Sequence, residues 1–120
     1  MEIKLYEYQN VTIAEIDAVV IIIHNAQDAL DILANCAYQG ASKIIVQASH
    51  IVPEFFDLKT GIAGEILQKF STYQMQLAIV GDFTKYTSKS LQDFIFESNK
   101  VGRINFVASI EEARERLAKS

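Results

Sequence analysis

The sequence predicts a single α/β domain: a mostly parallel sheet that opens with an antiparallel hairpin and carries about four helices. Three observations support that expectation. Two segments of period-two alternation stand almost back to back at the N-terminus. After them, short β-branched apolar runs alternate with stretches whose apolar residues recur at spacings of three and four. The helical stretches are also punctuated by capping residues and glycines. Such alternation gives a largely parallel sheet with helices packed on it. At 120 residues, half of them hydrophobic and 22% charged, the chain suffices for one such domain, residues 1–120, with its own core.

Residues Glu2 to Tyr8 put Ile3 and Leu5 on one face and Tyr6 and Tyr8 on the other. Val11 to Ile16 resume the alternation after Gln9-Asn10, so the pair reads as a hairpin. Ala18 to Ile23 is β-branched in its second half and is expected to be a third, buried strand, with an extended connector as the alternative. Asn25 is placed to cap a helix whose inward face is Ala26, Ala29, Leu30, Leu33, Ala34 and Ala37 and which Gly40 stops. Cys36, within that pattern, reads as a small buried hydrophobe.

Lys43 to Ala48 is a short apolar run typical of a central parallel strand. Ser49 to Phe56 is a loop holding His50 and the single proline, Pro53. A helix then starts near Thr60 and buries Ile62, Ala63, Ile66, Leu67 and Phe70. Glycine inside a helix costs up to about 1 kcal/mol against alanine, so Gly64 implies a close neighbour. Gln76 to Val80 forms the next strand, followed by Gly81-Asp82 and a hydroxyl-rich loop from Phe83 to Ser90. The following helix turns Leu91, Phe94, Ile95 and Ser98 inward, and Arg103 to Ala108 completes the sheet. Ser109 and Glu112 form a capping box for a last helix that buries Ile110, Ala113 and Leu117.

Several function classes are excluded at this stage. A net charge of −4 offers no basic field for nucleic acid or anionic lipid. The longest apolar run, Ala18 to Ile23, is too short to span a bilayer, and the opening MEIKLYEYQ has no leader pattern, so a cytoplasmic protein is expected. One cysteine allows neither an intrachain disulfide nor a thiolate metal site, and His24 and His50 read as surface or strand-end residues. No metal or cofactor is expected. Neither common glycine-rich nucleotide pattern occurs.

Two turns hold the candidate functional residues. The first is Phe55, Phe56, Asp57, Lys59, Thr60 and Gly61, an aromatic pair and a helix start expected to face solvent as a docking point. Free N–H groups at a helix start welcome an acceptor: a phosphate, a carboxylate, or simply Asp57 or Thr60 acting as a cap. The second comprises Asp82, Lys85 and Ser88, at a strand's carboxyl end, where open α/β sheets bind ligands. The bland reading of that loop is a solvated cap.

The runs FFDLKTGIAGEILQKF and LAIVGDFTKYTSKSLQDFIFESNK, with QDALDILANCAYQGASKIIV upstream and EEARERL near the end, resemble an uncharacterised bacterial family, domain-of-unknown-function family 4180. The likeness spans nearly the whole chain and brings no established activity. A second resemblance is to the sulphate-transporter and anti-sigma-factor-antagonist domain. That family also begins with a hairpin and places an aspartate at a strand end, followed by hydroxyl residues and a glycine opening a helix. Asp57 and Thr60-Gly61 would occupy those places, and the resemblance implies that Thr60 is phosphorylated by a partner kinase. Leu58 and Lys59 depart from the pattern, standing where a hydroxyl is usual.

The function expected is therefore a non-catalytic regulatory or protein-interaction domain, switched by phosphorylation in the Asp57–Gly61 turn. The alternatives are an anion- or metabolite-binding module using the helix starts near Thr60 and Ser88, and a weak hydrolase or transferase centred on Asp57 and Asp82. The expected partner is a protein, and the open edge of the hairpin adds a second copy of the chain as a further one.

Overall fold

The structure, a computed structural model, describes residues 1–119. Strands β1 (Glu2–Tyr8) and β2 (Val11–Asp17) form the expected hairpin, in register from Tyr8 opposite Val11 to Glu2 opposite Asp17. Gln9 and Asn10 join them with φ of 53° and 68°, the two left-handed residues that a tight hairpin turn requires. Three further strands, β3 (Lys43–Gln47), β4 (Gln76–Val80) and β5 (Ile104–Val107), add in parallel, so the spatial order is β1-β2-β3-β4-β5.

Each parallel strand lies next to the one before it, and right-handed crossovers that advance in one direction leave their helices on one face. Helices α1 (Ala26–Tyr38), α2 (Ile62–Thr72) and α3 (Lys89–Val101) are those crossovers. Their buried residues, among them Leu33, Ile66 and Leu91, pack with Ile44, Val46, Leu77, Ile79 and Phe106 of the sheet. Helix α4 (Ile110–Lys119) has no later strand to reach and covers the opposite face, where Ala113 and Leu117 meet Ile13, Ile45, Ala78 and Val107. The inner strands are thus covered on both sides, which is why KIIVQ and QLAIV read as nearly continuous apolar runs. Beneath α4, the buried Glu15 takes a two-pronged ion pair from Arg114, at 2.6 and 3.0 Å. No helix among the described residues is long and apolar enough to cross a membrane.

Four expectations need correction. Ala18 to Ile23 is a connector and not a strand. β2 already has β1 on one side and β3 on the other, so no edge is left for it. Val19 is fully exposed, and only Ile23 makes a single parallel bridge, to Ile51. In α1 the cap is as expected, Asn25 Oδ1 accepting from the Asp28 N–H at 2.9 Å, but the buried face is Ala29, Ile32, Leu33 and Cys36, while Ala34 and Ala37 stay outside. Cys36 is completely buried, which pushes its thiol up to about 11.

Gly64 serves no close approach, because a Cβ there would meet nothing within 4 Å. Gly81 is the glycine that a close approach requires: a Cβ on it would lie 2.8 Å from that of Ala48. At the start of α4, Ser109 Oγ accepts from the Glu112 N–H at 3.1 Å. The Glu112 carboxylate reaches back to the Ala108 N–H, one residue before the cap itself.

Candidate functional site

Two connections emerge side by side from the carboxyl ends of β3 and β4. The first descends through three short 3-10 turns, Ala48–His50, Pro53–Phe56 and Leu58–Thr60, before α2 begins. His50 is buried, with Nε2 donating to the Ala18 carbonyl at 2.9 Å while Nδ1 accepts from the Gln47 N–H at 3.4 Å. It thereby ties the β2–α1 connector to this loop.

Phe55 and Phe56 are not held out to solvent. Phe55 is fully buried and Phe56 nearly so, because the 3-10 turn folds both rings under the loop and onto the sheet. Phe55 meets Phe56 edge-on at 4.9 Å and lies 6.3 Å from Phe106. Phe56 stacks on Tyr86 at 5.0 Å and sits 6.0 Å from Phe83, so the pair is the pillar between the two connections.

The polar residues of this turn hold backbone. Asp57 caps the last 3-10 turn by accepting from the Lys59 N–H at 3.2 Å. The Thr60 hydroxyl donates toward the carbonyls of Glu54 and Asp57, at 2.8 and 2.9 Å, and accepts from the Ile62 N–H at 3.3 Å. Gly61 takes the left-handed conformation, φ 79°, and Lys59 lies at the surface. Asp57 does not sit at a strand end: β3 stops at Gln47, and two of the 3-10 turns intervene.

The second connection is organised likewise. Asp82 Oδ1 accepts from the Thr84 N–H at 3.0 Å and from its hydroxyl at 2.6 Å, and these bonds hold the carboxyl below the usual aspartate range. Ser88 caps α3 through the Leu91 N–H, and the Lys85 ammonium lies 5.4 Å from the Tyr86 ring.

The polar candidates do not converge. What the second connection does border is an open cleft of about 710 Å³, walled also by α3, the end of β5 and the start of α4. Of the candidate residues, Asp82 lines it, with Thr84 and Tyr86 of the hydroxyl-rich loop, whereas Lys85, Ser88 and the whole first turn do not. Sequence reasoning missed Phe96, Asn99, Phe106 and Glu112. One signal was legible: Phe96 falls outside the inward positions of α3 and is 64% exposed. Asn99 had no such signal; its side-chain amide accepts from the Phe106 N–H at 2.7 Å and donates to the Phe106 carbonyl at 3.2 Å.

A family model described as "Domain of unknown function (DUF4180)" matches residues 8–117. The chain belongs to this family. No curated protein and no solved structure matches it. The part of the DUF4180 domain covered by the match contains both connections and every wall of the cleft, and leaves out most of β1.

Proposed function

We propose that this DUF4180 domain is a binding domain without reaction chemistry of its own, a regulatory or interaction module whose contact site is the cleft at the carboxyl ends of β4 and β5. The cleft itself carries this reading. It is of ligand-accommodating size, its floor is apolar, and it lies where open α/β sheets receive their ligands. Catalysis requires a nucleophile or base held by an orienting partner. Asp57, Thr60, Asp82 and Ser88, the residues best suited to such work, are engaged in capping and turn bonds instead. The same bonds weaken the anion reading, since the Ile62 and Leu91 N–H groups at the two helix starts already have acceptors. They also count against a switch at Thr60, whose hydroxyl is committed to two carbonyls.

The test is an amide NMR titration of the full chain with a mixed set of small organic probes. The expected result is a response confined to Gly81–Tyr86 and Phe96–Asn99, and lost in Phe96→Ser, whose exposed ring can be removed without disturbing the core. A response centred on Gly61, or spread evenly over the surface, would overturn the reading.

A further inference from the structure

We infer that the cleft takes a small organic cation, an amine or quaternary ammonium group carried on an apolar body. The inference rests on the proposed binding role of the cleft and names its ligand class. The walls carry the aromatic residues Phe83, Tyr86 and Phe96 over a floor that includes the buried Phe106, together with the carboxylates of Asp82 and Glu112, and no lysine, arginine or histidine lines them. Aromatic faces attract cations through the ring quadrupole, and the two carboxylates fix the same sign for the occupant.

Each carboxylate also has capacity to spare. Asp82 holds its turn through Oδ1 and Glu112 reaches the Ala108 N–H through Oε1. Among the described residues, Asp82 Oδ2 and Glu112 Oε2 have no hydrogen-bond partner. The two come from different elements, the β4–α3 loop and α4, so an occupant would meet negative charge from both. An anion would meet two like charges within the cleft, and the nearest bases, Lys85 beside Asp82 and Lys100 over Phe96, stand only at its rim. A neutral apolar molecule would strip water from the carboxylates and return nothing.

The rim already illustrates the preference. The Lys85 ammonium lies over the Tyr86 ring at 5.4 Å and the Lys100 ammonium over the Phe96 ring at 5.5 Å. Both are local contacts within the chain and neither lysine lines the cleft, but each ring face accepts an ammonium group at cation–π distance. A bare metal ion fits less well: the space is far larger than an ion needs, and no group of three or more His, Cys, Asp or Glu among the described residues could hold one.

The experiment titrates the full chain, by amide NMR, with choline, with its uncharged isostere 3,3-dimethylbutanol, and with benzyl phosphate. Choline should shift Gly81–Tyr86, Ile95–Asn99 and Ala108 with an affinity about tenfold above that of the isostere. Glu112→Gln, which keeps an acceptor for the Ala108 N–H, should weaken choline by roughly threefold while lowering the melting temperature only slightly, through the lost charge at the start of α4. Equal or stronger binding of the isostere or the phosphate at those residues would overturn the cation inference and leave the cleft as a binding site. Silence of the cleft toward all three probes would remove both.

Discussion

The β3–α2 and β4–α3 connections leave neighbouring parallel strands at the same end of the sheet, yet one is closed and the other open. The first turns three times and tucks His50, Phe55 and Phe56 beneath itself. The second makes one aspartate turn, leans Phe83 and Tyr86 against Phe56, and leaves the space toward α3 and α4 unfilled. Both carry hydroxyls and charges, and in both the capping groups, Asp57 and Thr60 in one and Asp82 and Ser88 in the other, serve the local backbone. The difference lies in the apolar residues: whether a strand end is plugged decides whether a cleft exists there.

The contrast breaks most clearly at Phe55. Phe55→Ala removes a wholly buried ring and should cost about 3–5 kcal/mol in urea denaturation, whereas Phe83→Ala, only partly buried, should cost clearly less. Equal losses would erase the distinction between plugged and open. Next comes the point where the two connections touch. Gly81→Ala forces a Cβ against Ala48 and should destabilise the fold by about 1–3 kcal/mol, read as a lowered melting temperature. An unchanged melting temperature would mean that the connections separate freely.

A smaller effect of opposite sign is expected outside this region. Gly64→Ala adds a methyl group in open space within α2 and should stabilise by about 0.5–1 kcal/mol. Destabilisation would reveal a neighbour on that helix face.

The last prediction concerns pH. The folded-state pKa of Asp82 is depressed, first by the Thr84 hydroxyl and then by the Thr84 N–H. Its contribution is therefore complete above the unfolded aspartate range and is lost as pH falls through the lower, folded value. Asp28, held down chiefly by the His24 N–H, acts with the same sign. Asp82→Asn should consequently remove part, not all, of the acid sensitivity in melts followed from neutral pH downward. An unaltered profile would show that the Thr84 turn adds nothing to stability.

Much of the fold was legible because its signals are local. Asn25 and Ser88 announce their helices by capping chemistry, and Gln9-Asn10 announces the hairpin. The errors arose where distant neighbours decide. Ala18 to Ile23 has strand propensity in its second half, but β1 and β3 already occupy both sides of β2. The Phe55-Phe56 pair looked like a display because nothing in the sequence shows the turn folding it under. The cleft was almost invisible for the same reason, since Asp82, Phe96, Phe106 and Glu112 meet only once β5 is placed beside β4 and α4 crosses to the far face.

The Asn99 amide reaches further than its place beside the cleft. By answering both the N–H and the carbonyl of Phe106, it acts as a counterfeit sixth strand, one residue long, along the outer margin of β5. An incoming strand would have to displace that amide to pair with Phe106, so the middle of the β5 margin resists edge-to-edge pairing without a charge or a proline there.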